Sequence, residues 1–185
     1  GVSMVLPPRN PMVPTFHANF RYFEAGDMDD WWFGGGADLT PYYPVEEDVR
    51  GFHATLRELC GRHDVADGPR YKAWCDDYFT VRHRKEMRGV GGIFFDWLKP
   101  EPSEGGWEAA LAFMKDGVHT LKECYLPIVE RHMNDPYEDR HRQWQLLRRG
   151  RYAEFNLVYD RGTRFGLQTQ GDIEAILMSL PPLAR

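Results

Sequence analysis

The chain has 185 residues, 42% of them hydrophobic and 28% charged, and its formal net charge is −5. These values are typical of one globular domain, and the acidic balance excludes charge-driven binding to nucleic acid or to an anionic membrane. Three scattered cysteines without a CxxC pair exclude a disulfide framework, and no apolar run approaches the roughly 20 residues needed for stable membrane insertion.

The first predicted element is a strand in which polar and apolar residues alternate strictly. The guanidinium on its polar side can hold a carboxylate at two points, and the imidazole can move a proton, so this side suits an anionic ligand. A solvent-facing strand carries such residues too, so both interpretations stay open. The Trp-Trp-Phe-Gly-Gly-Gly run over residues 31–36 predicts a bend. The apolar side holds Phe16, Ala18, Phe20 and Tyr22, and the polar side holds His17, Asn19 and Arg21.

Helices are predicted next over residues 44–63 and 70–83, because apolar side chains recur there at helical spacing. Residues 88–98 predict a second strand, whose glycines allow another backbone or a ligand to approach closely. A long helix over residues 107–132 follows, kinked at Pro127. A shorter, basic helix is predicted over residues 137–149.

The last part of the chain predicts two strands, residues 152–160 and 163–169, joined in a hairpin at Arg161 and Gly162. A short helix follows in the tail. Helices and antiparallel strands without a regular strand-helix-strand alternation predict an α+β fold. The hairpin would be apolar on both faces, so either the monomer or a second copy of the chain must cover it.

Five separated segments carry a resemblance to a known family: HANFRYFE, WWFGGGADLTP, HRKEMRGVGGIFFDWL, LRRGRYAEFNLVYDRGTRFGLQT and EAILMSLPP. In this order they closely resemble the oxygen-dependent coproporphyrinogen III oxidases, and the resemblance extends over residues 1–185. It implies a flat, largely antiparallel sheet covered by helices on both faces, in a single catalytic domain that forms a homodimer. It also implies that the full-length protein has further parts at both ends.

The activity that the resemblance implies is an oxidative decarboxylation. Two propionates of coproporphyrinogen III become vinyl groups, giving protoporphyrinogen IX, while O2 is consumed and carbon dioxide and hydrogen peroxide are released. Neither an organic cofactor nor a metal is expected. The alternative is a catalytically silent tetrapyrrole-binding protein on the same scaffold. A cytoplasmic location is expected, with mitochondria and plastids left open because relatives occur there too.

The resemblance also implies individual site residues. It places the proton donor at His17 and the group that holds the pyrrole N–H donors at Asp96. Asp172 stands where relatives carry an arginine, and an acid there would repel a propionate. Substrate contacts are implied at Ser3, Asn19, Phe20, Arg21, Gln170, Gly171 and Asp172.

The residue types suit this chemistry. Four propionates need cations at the rim, which Arg21 can supply, and the Asp96 carboxylate can accept several charge-assisted N–H bonds. An imidazole such as that of His17, with an ordinary pKa of about 6.5, can carry protons. Since an electron-rich pyrrole can itself give electrons to O2, an enzyme that positions and deprotonates the substrate needs no further oxidant.

Two other clusters leave alternatives open. Arg148, Arg149 and Arg151 fit either a cationic helix C-terminus or substrate contact. A metal hydrolase built on three histidines is a distant alternative, and their lack of short ligand spacing makes the metal signal weak. Those histidines are His17, His53 and His83.

Overall fold

The structure is a computed structural model that describes residues 1–26, 30–178 and 180. Two short 3₁₀ turns, Arg82–Arg84 and Pro102–Glu104, accompany the regular elements. The strands are β1 (Val2–Leu6), β2 (Thr15–Glu24), β3 (Trp31–Thr40), β4 (Thr80–Val81), β5 (Glu86–Met87) and β6 (Gly91–Leu98). The helices are α1 (Glu46–Gly61), α2 (Gly68–Tyr78), α3 (Gly106–His132), α4 (Asp139–Val158), α5 (Arg161–Gln168) and α6 (Ile173–Ile176).

In the described part of the chain, four strands form one antiparallel sheet in the order β1-β2-β3-β6. Its register places Ser3 of β1 opposite Asn19 of β2, and Asp38 of β3 opposite His17 of β2. Because successive side chains of a strand point to opposite faces, these polar residues share one face of the sheet. The pair β4-β5 forms a separate ribbon.

Helices α1 and α3 cover the apolar face of the sheet. Phe16 of β2 stacks on Tyr125 of α3 with ring centroids 4.7 Å apart, and Phe95 of β6 packs against Phe113 of α3 at 5.2 Å. Burial of such rings is the main favourable contribution to folding. The alternation predicted for the first strand is confirmed, since Phe16, Ala18 and Phe20 are buried and only Tyr22 is exposed.

The opposite face is covered in part by α2, α4 and α5. Phe94 of β6 stacks on Tyr78 at 4.4 Å, and Phe155 of α4 packs against Phe79 at 5.5 Å. The uncovered part of this face forms the cavity described below. An antiparallel sheet with helices on both faces confirms the predicted α+β fold.

Most predicted helices are confirmed with shifted ends. Residues 44–63 and 107–132 correspond to α1 and α3, and Pro127 lies within α3. The helix predicted over residues 70–83 ends at Tyr78, because β4 pairs with β5 instead of continuing it. No helix among the described residues combines the length and the apolar character required to cross a membrane.

The predicted hairpin over residues 152–169 is wrong. The basic helix continues through Val158 as α4, and the residues assigned to the second strand form α5. Tyr152, Phe155 and Asn156 are buried, with the i, i+3, i+4 spacing of a helix face. The supposed turn at Arg161 is the start of α5, because the Asp160 carboxylate accepts a bond from the Thr163 amide at 2.7 Å and caps the helix. Tyr, Phe and Val favour strands only weakly, and packing overrides that preference here.

The predicted bend at residues 31–36 is also wrong, because β3 continues through them. The glycines provide space rather than a turn. A Cβ atom at Gly34 would lie 2.6 Å from Oδ1 of Asp96 and 2.9 Å from Nη2 of Arg21. Glycine therefore allows side chains from the strands on either side of β3 to meet above it.

A cluster of ionisable groups joins the start of α1 to the end of α3. Nε2 of His132 lies 2.7 Å from the buried Asp48 carboxylate, and Nδ1 lies 2.6 Å from Asp135. Burial by itself lowers the pKa of His132, but the bonds to Asp135 and Asp48 outweigh that effect and raise the pKa above its ordinary value. The protonated ring therefore ties two carboxylates together.

Candidate active site

Side chains from four strands and the adjoining helices line a cavity on the polar face of the sheet, here called the polar cavity. Its volume is about 760 Å³, within the range of small-molecule sites. The sheet forms its floor, and the ends of α2 and α5 contribute its walls. The lining residues are Gly1, Val2, Ser3, His17, Asn19, Arg21, Tyr22, Phe23, Trp32, Tyr78, Phe79, Phe94, Asp96, Trp97, Asp160, Arg161, Gly162 and Phe165.

Asp96 and Arg21 meet in this cavity across β3. Nη2 of Arg21 lies 3.1 Å from Oδ2 of Asp96, and the Trp97 amide donates to Oδ1 of Asp96 at 3.1 Å. An ionised carboxylate accepts about four hydrogen bonds. Asp96 can therefore accept about two more N–H bonds from a ligand, and Arg21 keeps further N–H donors for an anion.

His17 is oriented by a buried ion pair that lies behind it. Nδ1 of His17 is 2.6 Å from Oδ1 of Asp38, and Oδ2 of Asp38 accepts from Nη2 of Arg88 at 2.6 Å. An ionised carboxylate can only accept, so Nδ1 of His17 carries the proton and Nε2 is the acceptor in the neutral ring. The arrangement fixes both the tautomer and the direction of the imidazole.

The charges of this pair are held in a dry environment, since both side chains are only 3% exposed. Burial by itself would raise the pKa of Asp38, but the Arg88 guanidinium and the His17 imidazole outweigh that effect and hold the pKa below its ordinary value. The Arg88 guanidinium also lies 4.0 Å from the Phe79 ring centroid and 4.2 Å from that of Tyr152. Asp38 therefore stays ionised behind His17.

Asn19 connects the two parts of the cavity floor. Nη1 of Arg21 donates to Oδ1 of Asn19 at 2.7 Å, and Nδ2 of Asn19 lies 3.5 Å from Nε2 of His17. A line of polar side chains thus runs along the floor from Asp96 to His17 and continues below it to the buried Asp38 and Arg88. Sequence reasoning missed Asp38 and Arg88, although an aspartate within a glycine-rich apolar strand is a signal for a buried charge that needs a partner.

Aromatic rings and a second arginine also line the polar cavity. Phe23 stacks on Trp32 at 4.1 Å, and Trp32 lies 4.2 Å from Trp97. Arg161 also lines the cavity, and its guanidinium lies 5.1 Å from the centroid of the Tyr78 ring. These residues were not predicted as site residues, because Arg161 was assigned to a turn, Trp32 to a bend and Trp97 to a strand without a site role.

Five of the predicted site residues converge, and four do not. Ser3, His17, Asn19, Arg21 and Asp96 all line the polar cavity. Phe20 lies on the opposite face of β2 and is buried in the core, because its neighbours in the strand point the other way. Gln170, Gly171 and Asp172 are exposed between α5 and α6 and do not line the cavity; the Asp172 carboxylate instead accepts from the Glu174 amide at 3.0 Å and caps α6.

The three histidines considered as a metal site lie in different places. His53 donates from Nε2 to the Val90 carbonyl at 3.1 Å and lines another cavity, while His83 bonds through Nδ1 to the Tyr159 hydroxyl at 2.7 Å. Only His17 lines the polar cavity. Within the described ranges, no three His, Cys, Asp or Glu residues are grouped so that they could hold a metal ion.

The arginine cluster of α4 is used in ion pairs. Arg148 and Arg151 lie 3.3 Å and 2.9 Å from the Glu86 carboxylate of β5. They are in the middle of α4, so the prediction of a cationic helix C-terminus is wrong. Neither residue lines the polar cavity.

Taken together, the cavity offers a hydrogen-bond-accepting carboxylate, cations, an oriented imidazole and exposed aromatic rings. This set defines the class of protein: an α+β domain whose sheet carries a cavity suited to an anionic ligand and equipped to move a proton to or from it. The geometry alone does not specify which compound.

Comparison with known proteins gives the family. The model of the family described as coproporphyrinogen III oxidase matches residues 1–185. The chain is 55% identical over its whole length to the oxygen-dependent coproporphyrinogen-III oxidase of Drosophila melanogaster, of which it covers 47%. It is 52% identical to the enzyme of the same name from Francisella tularensis subsp. holarctica, of which it covers 59%. The chain belongs to the coproporphyrinogen III oxidase family and spans about half the length of these relatives.

Proposed function

We propose that the full-length protein converts coproporphyrinogen III into protoporphyrinogen IX with O2 as the oxidant. The observation that carries this proposal is the convergence of His17, Arg21 and Asp96 on one cavity, in a chain that matches the family from end to end. The printed names of the two relatives support it further.

The reaction balances for each propionate separately. One C–H bond and the bond to the carboxylate break, a C=C bond forms, and carbon dioxide leaves. Two electrons reduce O2, which takes one proton from the broken C–H bond and one from solvent to give hydrogen peroxide. The protein must therefore orient a propionate, accept a proton and admit O2.

Asp96 is proposed to hold the centre of the tetrapyrrole. Its carboxylate already forms an ion pair with Arg21 and accepts one bond from the Trp97 amide, on different oxygens. The remaining acceptor capacity matches two pyrrole N–H donors, and such charge-assisted bonds contribute about 1.5–3 kcal/mol each. The ring would then lie above β3, where Gly34 leaves the space open.

Arg21 and Arg161 are proposed to hold propionates at the rim. Arg21 is 39% exposed although it is paired with Asp96, so part of its guanidinium faces the cavity. Arg161 lines the same cavity and lies against the Tyr78 ring. Two cations at separate points of the opening would fix the rotation of a ring that carries four carboxylates.

His17 is proposed to carry the proton. Its Nε2 can accept a proton from the propionate side chain or from a pyrrole, while Nδ1 keeps its bond to Asp38. The negative charge of Asp38 stabilises the imidazolium that forms, and Arg88 keeps Asp38 ionised. We further propose that O2 takes electrons from the electron-rich substrate without a metal or an organic cofactor.

The test is turnover of coproporphyrinogen III by the full-length protein and its variants. His17→Ala is expected to lower kcat/KM by about 100-fold, the usual contribution of a general base. Asp96→Ala is expected to lower it by about 1,000-fold, because two charge-assisted bonds to the ring are lost. His53→Ala is the matched control, since His53 lies outside the polar cavity and its loss should leave turnover within about twofold.

The silent-binder alternative gives a different result in the same assay. A binding protein would change the spectrum of the porphyrinogen yet form no vinyl product under O2. Full turnover by both His17→Ala and Asp96→Ala would overturn the proposed roles of these residues.

A homodimer and a cytoplasmic location are proposed as well. Apolar side chains are exposed near the end of α4 and along α5, among them Leu157 (51%), Val158 (48%) and Leu167 (43%), and a second copy of the protein would cover them. Sedimentation of the full-length protein should give twice the monomer mass. Fractionation of the source cells would test the compartment.

A further inference from the structure

An irregularity in β6 places two neighbouring side chains on the same face of the sheet. Phe33 of β3 pairs with Leu98, and Gly35 pairs with Phe95, so Asp96 and Trp97 both lie opposite the single residue Gly34. This is a β-bulge, in which one strand has an extra residue. Without it Trp97 would point to the apolar face, because side chains alternate along a regular strand.

The bulge requires an unfavourable backbone at Trp97. Its φ angle is +58°, in the left-handed region that bulky residues rarely adopt. The amide of Trp97 donates to Oδ1 of Asp96, which stabilises this conformation. A strained, non-glycine residue beside a group proposed to bind substrate is a typical feature of functional sites.

The indole of Trp97 is the last of three aromatic rings packed in a row, and most of its own surface is exposed. Phe23, Trp32 and Trp97 follow one another at centroid distances of 4.1 Å and 4.2 Å, and Trp97 is 62% exposed. The packing of the first two rings holds the third in place. All three rings line the polar cavity together with Asp96, so the Trp97 indole is available to a ligand that Asp96 binds.

We propose that Trp97 is a positioning residue on which a pyrrole ring of the substrate stacks while Asp96 accepts the pyrrole N–H bonds. This inference rests on the proposed function and names the residue that sets the tilt of the ring. Offset stacking of an electron-rich ring on an indole, together with burial of both surfaces, stabilises the complex. The bulge thus places the indole of Trp97 and the carboxylate of Asp96 side by side on the same face of the sheet.

The test uses Trp97→Gly, Trp97→Phe and Trp97→Leu in the full-length protein, with coproporphyrin III as an unreactive probe. Trp97→Gly should weaken probe binding and raise KM for coproporphyrinogen III by roughly tenfold. Phe should restore most of the affinity, and Leu should not, because it lacks an aromatic face. Trp97→Gly should melt at the same or a higher temperature than the wild type, since glycine tolerates a positive φ. Trp144→Ala, which removes a partly exposed indole outside the polar cavity, should bind the probe as the wild type does.

Two results would overturn the inference: unchanged probe affinity in Trp97→Gly, or equal affinity in the Phe and Leu variants. Comparison of the probe affinities of Trp97→Phe and Trp97→Leu tests the inference even if Trp97→Gly does not fold. Binding of the probe is measured without turnover, so the two proposals fail separately. A wild-type protein that binds the probe through Trp97 but makes no vinyl product would refute the proposed function and leave this inference standing.

Discussion

Replacement of Arg88 by methionine tests the buried ion pair behind His17. Methionine has a similar length and no charge, so the change removes the guanidinium that lies 2.6 Å from Asp38 and keeps much of the packing against Phe79 and Tyr152. Asp38 is then left 3% exposed with only the imidazole as its partner. Loss of one member of a buried pair typically costs about 3–5 kcal/mol.

The predicted loss is large compared with the total stability of a domain, about 5–15 kcal/mol. It should also depend on pH. Because the pKa of Asp38 is lowered in the folded protein, its contribution to stability is present above the unfolded pKa and lost as the pH falls through the folded pKa. Without Arg88, burial raises that pKa toward the unfolded value or above it, so the loss of stability that Asp38 causes on the acid side in the wild type should shrink or reverse in the variant.

Urea unfolding across a range of pH measures both effects. The double variant Asp38→Asn/Arg88→Met, which removes both charges, should be more stable than Arg88→Met alone by at least about 1 kcal/mol. Its turnover should stay low, because no charge remains to stabilise protonated His17. A cost below about 1 kcal/mol for Arg88→Met, together with the same acid-side loss of stability as in the wild type, would refute the reasoning about this pair.

Two further predictions concern the α1–α3 cluster and the glycine below Asp96. The pKa of His132 is raised in the folded protein, so the protonated ring contributes its full stabilisation below the unfolded pKa of about 6.5. This contribution is lost as the pH rises through the folded pKa. In urea unfolding, His132→Gln should abolish that pH-dependent loss. Gly34→Ala places a Cβ atom 2.6 Å from Oδ1 of Asp96 and should lower turnover of coproporphyrinogen III by about tenfold or more, because the carboxylate must move by a large fraction of an ångström.

Each of these predictions has a control within the chain. His119, which is exposed on α3, provides the comparison for His132: a His119→Gln protein should keep the pH dependence of the wild type. Gly51 lies in α1 with open space around its Cβ position, so Gly51→Ala should leave turnover unchanged and raise stability by about 0.5–1 kcal/mol. Identical pH profiles for His132→Gln and the wild type, or normal turnover of Gly34→Ala, would contradict the respective prediction.

The helices and strands in which apolar residues recur with a clear period could be predicted from the sequence. The alternation around His17 identified both faces of β2, and the spacing of apolar residues identified α1 and α3. In the stretch from Tyr152 to Gln168 the aromatic and branched residues favoured strands, but the structure places them in helices, with Tyr152 and Phe155 buried on one face of α4. Periodicity was the better guide there, because burial and packing outweigh the small strand preference of such residues.

The candidate site could be predicted only in part. The polar face of β2 and the aspartate of the GGIFFD segment were found, since strand alternation and the resemblance both indicated them. The pair Asp38–Arg88 joins residues 50 positions apart and forms only when β3 and the segment before β6 are packed together. The bulge at Trp97 could not be predicted either, because it depends on the register between β3 and β6 rather than on a local sequence signal.

The most direct test of the account is the stoichiometry of the reaction of the full-length protein with coproporphyrinogen III. O2 consumption, carbon dioxide release and vinyl product are measured together, under air and under nitrogen. One O2 should be consumed for each carbon dioxide released under air, no carbon dioxide should be released under nitrogen, and Asp96→Ala should lose both O2 consumption and carbon dioxide release. Carbon dioxide release without O2, or an Asp96→Ala protein that turns over at the wild-type rate, would contradict the account.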